Sequence, residues 1–204
     1  MRPDDLTGDV IEPDLGRHIL AELAELNSDF IELVDESSHD DSSDSFMPPR
    51  QFDALRSLRK PAKRRLTGCA FALFDLRLQD VALWRALTAG EIRDALSETG
   101  CNETTQRKIK FFTLSALMYL RHLAEVNRFF ARLSFDASAE TLDIIKTLPL
   151  NQLRAIADNC PGLLRGRFND LPEAWSELLK LAKRNDTEPM LPAKILGYQH
   201  LNQG

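Results

Sequence analysis

The chain has 204 residues, enough for one good-sized domain or one domain with a tail, and its 43% hydrophobic content is ordinary for a soluble globular protein. No apolar run approaches the roughly 18 residues of a membrane-spanning helix, and the opening "MRPDDLTGDV" is acidic and lacks the apolar core of a cleaved leader. Cys69, Cys101 and Cys160 are odd in number and widely spaced, which argues for reduced thiols and a cytoplasmic setting, not a disulfide frame.

The net charge of −5 averages three unlike stretches. Residues 1–49 hold 14 acids against 2 arginines, residues 50–134 hold 16 Lys and Arg against 8 acids, and residues 135–204 hold 8 against 9. An acidic arm therefore precedes a basic middle.

In chain order, the spacing of Ile19, Leu20, Leu23, Leu26, Phe30 and Leu33 predicts an amphipathic helix from about Asp14, its N-cap, to Val34. Residues 35–49 are rich in Ser and Asp, end in Pro-Pro, and are expected to be a disordered acidic linker between an N-terminal arm (1–34) and a helical domain (50–184). Seven basic residues follow between Arg50 and Arg65, with Pro61 interrupting any helix there. "CAFALFDLRLQDVALWRAL" predicts an apolar helix from about Cys69 to Leu87, and "TAGE" at Thr88 predicts a capping box opening a short helix through Leu96.

The longest predicted helix runs from Glu103 to about Leu133, with an apolar face that includes Ile109, Phe112, Ala116, Tyr119, Leu120, Leu123, Val126 and Phe130. Such a helix is about 45 Å long, more than one small core covers. Phe112, Tyr119, Leu123 and Phe130 are accordingly candidate partner-binding residues. Ser138 or Asp136 caps "AETLDIIKTL", Pro149 restarts the chain, and "NQLRAIADN" turns Leu153, Ile156 and Ala157 inward and Gln152, Arg154, Ala155 and Asn159 outward. Cys160-Pro161-Gly162 stops that helix. These two short helices resemble a helix-turn-helix, an arrangement also common in plain helical cores. A last helix is predicted from a cap at Asp170, with Trp175, Leu178, Leu179 and Ala182 inward, and an irregular tail covers 185–204. Strand alternation is absent except in "GLLRGRF", and no internal repeat is apparent. The fold class expected is all-α, a multi-helix domain with one long central helix and a C-terminal helix-turn-helix-like unit.

The chain carries none of the spaced motifs of metal, nucleotide or nucleophile chemistry, and His18, His39, His122 and His200 lie far apart. No enzyme, metal site or cofactor is expected. The run "LRKPAKRRL" concentrates Lys60, Lys63, Arg64 and Arg65 where side chains reach phosphates, which gives salt-sensitive binding without base reading. The alternative is a solvated run neutralised by the protein's own acids, Asp35 to Asp44.

Leu148, Leu150, Gln152, Leu153, Ile156, Ala157 and Asp158, then Arg167 and Phe168, form a pattern that resembles the FlhD family, the small subunit of the flagellar transcriptional activator. The likeness extends without gaps through "LSALMYLRHL" and "FARLSFDASAETLDII" to "NDLPEAWSELL", over about residues 113–183. It implies an all-helical subunit that dimerises through its long helix, assembles with an FlhC-like zinc protein, and binds double-stranded promoter DNA in that complex. Gln152, Arg154, Arg165 and Arg167 then become candidates for the DNA-facing surface. Leu164 stands where the family has a subunit-linking cysteine, so covalent dimerisation is not expected, and the first 110 or so residues have no counterpart in short family members. Two functions remain: a transcriptional regulator subunit acting as a homo-dimer or larger assembly, or an adaptor gripping proteins through its helices without binding DNA. Neither involves a membrane.

Overall fold

The computed structural model describes residues 13–37, 48–91 and 102–184. Among them are nine α-helices: α1 (Pro13–Glu36), α2 (Pro49–Arg56), α3 (Lys60–Thr67), α4 (Val81–Ala89), α5 (Glu103–Val126), α6 (Arg128–Phe135), α7 (Ala139–Thr147), α8 (Leu150–Asn159) and α9 (Pro172–Lys183). Two short strands, β1 (Phe74–Asp75) and β2 (Arg165–Gly166), pair antiparallel with Phe74 opposite Gly166 and Asp75 opposite Arg165. The all-helical expectation holds, and β2 lies within the one stretch that read as extended.

Helix α5 is the spine, packing against α1, α6, α7 and α8. Its core contact is an aromatic cluster in which Phe74 meets Phe112 edge-on at 4.8 Å between centroids, with Phe30 and Phe135 at 5.7 and 5.8 Å from Phe74. Each buried Phe contributes about 1.5–3 kcal/mol of transfer free energy. Asn27 is fully buried on α1 and holds the chain between α3 and β1: its side chain donates to the Thr67 and Phe71 carbonyls and accepts from Leu73 N.

Several sequence expectations are corrected. The predicted helix to Leu133 breaks at Asn127, whose backbone is extended (φ −152°) and whose side chain caps α6 by accepting from Phe130 N. Capping chemistry there outweighs the apolar periodicity. Cys69 to Asp80 is not helical. Phe71, Ala72, Leu73 and Phe74 are buried in succession, as in an extended segment covered on both faces, and helix begins only at Val81 under an Asp80 cap. Thr88 lies inside α4, and Gly90 ends it in the left-handed conformation (φ 75°), so "TAGE" is a helix stop and not a start; the rest of the expected helix, 92–96, lies outside the described residues. Asp14 falls within α1, and Leu171, not Asp170, occupies the cap position of α9. Asp35 and Glu36 close α1 and Pro49 opens α2, while 38–47 of the expected linker and the tail 185–204 lie outside the described residues. Ser138 caps α7 as expected.

The sequence also hid a repeat. Helices α1, α2, α3, strand β1 and α4 recur in the same order as α5, α7, α8, β2 and α9, displaced by 90–91 residues. Buried Ile19, Leu23, Leu26, Phe30 and Leu33 have buried counterparts 90 positions on, at Ile109, Thr113, Ala116, Leu120 and Leu123. From Ala62 and Leu153 onward the displacement is 91. Cys69 then matches Cys160, both buried, and Arg77 matches Phe168, both non-glycine residues in the left-handed region (φ 53° and 58°). Trp84 matches Trp175, and each indole donates to a carbonyl eight residues back, Leu76 and Arg167, themselves 91 apart. The β1/β2 ladder maps onto itself under the same displacement, which places a pseudo-twofold axis through it. The final helix of each half packs on the other half, α9 on α2 and α3, and α4 on α7. Among the nine α-helices α6 alone has no described counterpart, its place falling within 38–47.

Candidate functional site

The basic run forms α3 and its approach. Lys60 and Arg64 are exposed on α3, next to exposed Arg56 and Arg59 at the end of α2 and in the turn. The other two candidates are engaged within the protein. Lys63 Nζ lies 2.6 Å from Asp35 at the end of α1, and Arg65 donates from Nε and Nη2 to the Ala182 carbonyl at 3.0 and 2.7 Å, capping α9. A cation at a helix C-terminus meets the negative end of the dipole. Among the described residues, self-neutralisation by the acidic arm is realised in the Lys63–Asp35 pair, while Asp40, Asp41 and Asp44 lie outside the described residues.

In the second half, Gln152 and Arg154 point outward from α8, as the spacing predicts. Gln152, Ala155 and Asn159 line one wall of a groove of about 200 Å³ closed by the last turn of α4 and Gly90. Arg165 is half-buried and spans Asp75 at 2.8 Å and Asp170 at 3.4 Å, so it clamps β2 to β1.

Arg167 corrects the sequence reading outright. It is 3% exposed, its guanidinium lies 5.1 Å from the Phe71 ring centroid and 5.4 Å from that of Phe168, and Nη1 donates to the Ala72 and Ser134 carbonyls. It serves the core and cannot touch DNA. Burial lowers its pKa to about 10, against the raising effect of Asp136, Asp75 and Cys69. The Cys69 thiol is pushed up to about 12 by burial, partly offset by Arg167.

The four candidate partner residues are also corrected. Phe112 and Leu123 are buried in the core, Tyr119 and Phe130 pack against it, and the Tyr119 hydroxyl donates to the Ile19 carbonyl at 2.9 Å. The apolar face seen in the sequence is turned to the protein's own interior except at Val126, which is exposed. A second apolar row takes the surface: Phe111 (75% exposed), Met118 and Val126 along α5, then Phe129 (72% exposed) and Leu133 on α6. The spacing 111, 118, 126, 129, 133 was legible, but it was overshadowed by the stronger inward stripe.

The pseudo-twofold supplies an internal comparison for both surfaces. Phe111, Met118 and Val126 correspond to Ala21, Ser28 and Glu36, all exposed on α1, so the fold does not need apolar residues there. Arg64 corresponds to Ala155, and one turn earlier on the same helix face Asn151 takes the place of Lys60; all four are exposed. The α2–α3 span 50–67 holds seven basic residues and one acid, whereas its counterpart 140–158 holds two and three.

Among the described residues no group of three or more His, Cys, Asp and Glu side chains could hold a metal, and no helix is long and apolar enough to cross a membrane. His18 pairs with Glu22 at 3.3 Å on the surface of α1, and His122 is exposed on α5. Compared with known proteins, the chain matches no family model, no curated protein and no solved structure.

Proposed function

We propose that this protein is a non-catalytic transcriptional regulator subunit, similar to FlhD, that works inside a protein assembly and lends that assembly a phosphate-binding face. The observation that carries the reading is the exposed cationic cluster Arg56, Arg59, Lys60 and Arg64, at positions where the repeated half of the fold has little charge. Four cations on one short helical corner suit a phosphate backbone and act without reading bases. Affinity of such a face falls steeply with salt, so sequence choice has to come from the rest of the assembly. The apolar row Phe111–Leu133 supplies the protein contact, to a second copy or to an FlhC-like zinc protein. Exposed aromatic residues of this size are the usual anchors of protein interfaces.

The test is an electrophoretic shift of host promoter fragments by the native complex carrying Lys60→Glu and Arg64→Glu. The expected outcome is a shift lost or weakened by about tenfold, with the complex intact. An unchanged shift sinks the DNA part and leaves the second reading, an adaptor that grips proteins through α5–α6; the observation that favours that reading is the 75% and 72% exposure of Phe111 and Phe129.

A further inference from the structure

The repeated halves are intertwined. Each gives its last helix to the other, as when α9 receives the Gln51 side chain at the Pro172 carbonyl and the Arg65 guanidinium at the Ala182 carbonyl, and Arg85 of α4 pairs with Glu140 of α7. A half-length chain with this fold would leave three things unfinished: its strand unpaired, the hydrophobic side of its last helix uncovered, and the Leu73 or Leu164 positions beside the ladder, both buried here, exposed. All three are completed within one chain. The seam through which such half-length units would pair is therefore filled, and a second copy has no access to it.

Within this frame the two outward helices at equivalent places have diverged. Helix α3 presents Lys60 and Arg64, while α8 presents Asn151 and Ala155 at the same positions. Each flanks an open groove shared with the last helix of the other half: Pro61 and Arg65 line the one beside Lys183 of α9, and their counterparts Gln152 and Ile156 line the one beside α4. The scaffold of the docking face is thus present twice, but of its four cations only Arg56 has a cationic counterpart, the exposed Lys146, and the second half as a whole has more acids than bases over 140–158.

We infer that the chain is a fused, helix-swapped pseudo-dimer that offers a single docking face for the phosphate backbone of nucleic acid, on α2–α3, where a symmetric dimer would offer two. A regulator built this way engages nucleic acid from one side only, with the α8 face left for neutral contacts. The inference rests on the phosphate-binding part of the proposed function, and the experiment separates the two.

A short DNA duplex and, in parallel, a heparin oligosaccharide are titrated into the full chain by calorimetry at low salt, with light scattering giving the mass. One site per chain is expected, weakened about tenfold or more by Lys60→Glu with Arg64→Glu and unchanged by Gln152→Glu with Ala155→Glu. Placing the charges on the other half, Asn151→Lys with Ala155→Arg, is expected to raise the count to two. Two sites in the unmodified chain, equal loss from both reversals, or no second site after the transfer would overturn the inference. So would a two-chain mass that persists after Phe111→Ser and Phe129→Ser remove the exposed apolar row. Heparin bound at a Lys60/Arg64-dependent site with the duplex silent would overturn the nucleic-acid occupant and the inference with it, as would silence of both, whereas two duplex sites would overturn the inference alone and leave the DNA reading standing.

Discussion

Arg167 shows how one side chain can be charged, buried and structural. Its guanidinium lies against Phe71 and Phe168, two of its nitrogens, Nε and Nη2, have no hydrogen-bond partner, and Nη1 ties the Ala72 and Ser134 carbonyls together. Removing it leaves a cavity and takes the side-chain donor from the Ala72 carbonyl, whereas the Ser134 carbonyl keeps the Ala72 N–H at 2.9 Å. Arg167→Ala is expected to cost about 3–5 kcal/mol in urea unfolding, and Arg167→Lys to recover only part of it, because an ammonium can donate to both carbonyls but cannot stack flat on the Phe71 and Phe168 rings. Its neighbour Cys69 gives a pH signature. With the folded pKa near 12 and the unfolded value at 9.0, the thiol is neutral in both states below about pH 9 and its contribution is fully present there. Between about 9 and 12 the unfolded chain ionises first, so stability from this group falls as pH rises, by about 1.4 kcal/mol per pH unit at most. Arg167, with its pKa lowered to about 10, acts in the opposite direction above that pH. Unfolding free energies at pH 8 and 10 should therefore fall less in Cys69→Ala than in the parent; an identical fall would place the thiol in water.

At the scale of elements, equivalent parts of the repeat should respond alike. Trp84 and Trp175 are each fully buried, and each indole N–H satisfies a carbonyl at the end of its strand segment. Trp84→Phe and Trp175→Phe keep most of the apolar area but leave the Leu76 or Arg167 carbonyl unpaired, a loss of about 1–3 kcal/mol each. Similar destabilisation in both, measured by thermal or urea melts, is the expected result, and a large loss in one alone would mean that the halves bear unequal loads. The break at Asn127 belongs to this scale too. Asn127 closes α5 and caps α6 within two residues, which turns Phe129 and Leu133 onto the surface instead of carrying them further along the α5 axis.

For the whole molecule, the exposed apolar row and the cationic corner are separate surfaces on different halves. Phe111→Ser with Phe129→Ser touches no buried contact, so the unfolding midpoint should move little, within about 0.5 kcal/mol. The same pair should abolish recovery of the bound protein partner when the tagged chain is isolated from host extract in the presence of nuclease. Retained partner together with lost stability would assign Phe111 and Phe129 to the fold and not to an interface.

How much of this was legible follows from what each signal depends on. Helix positions rest on local periodicity and caps, so α1, α7, α8 and α9 were readable from residues such as Leu23, Ser138, Pro149 and Trp175. The outward placement of Gln152 and Arg154 followed from the same periodicity. Burial of Arg167 did not, because nothing local distinguishes an arginine bound for solvent from one enclosed by Phe71, 96 positions earlier. The segment Cys69–Asp80 is apolar without a break as far as Phe74, which hides its alternation from there to Gln79, and its extended form rests on Asn27 and on pairing with β2. The repeat left scattered sequence marks, among them Cys69 with Cys160 and Trp84 with Trp175 at 91 and Ile19 with Ile109 and Leu33 with Leu123 at 90, but most other core positions keep only their burial, which many apolar residues satisfy equally. By itself, then, the sequence determined that the protein is helical, that its charge is segregated, and which short helices carry outward polar residues, since those properties depend on neighbours within a few turns. The tertiary structure alone decided which of the described cations are exposed, which aromatic residues face out, and that two halves close on each other through exchanged helices, since those depend on contacts between residues that only the folded chain brings together.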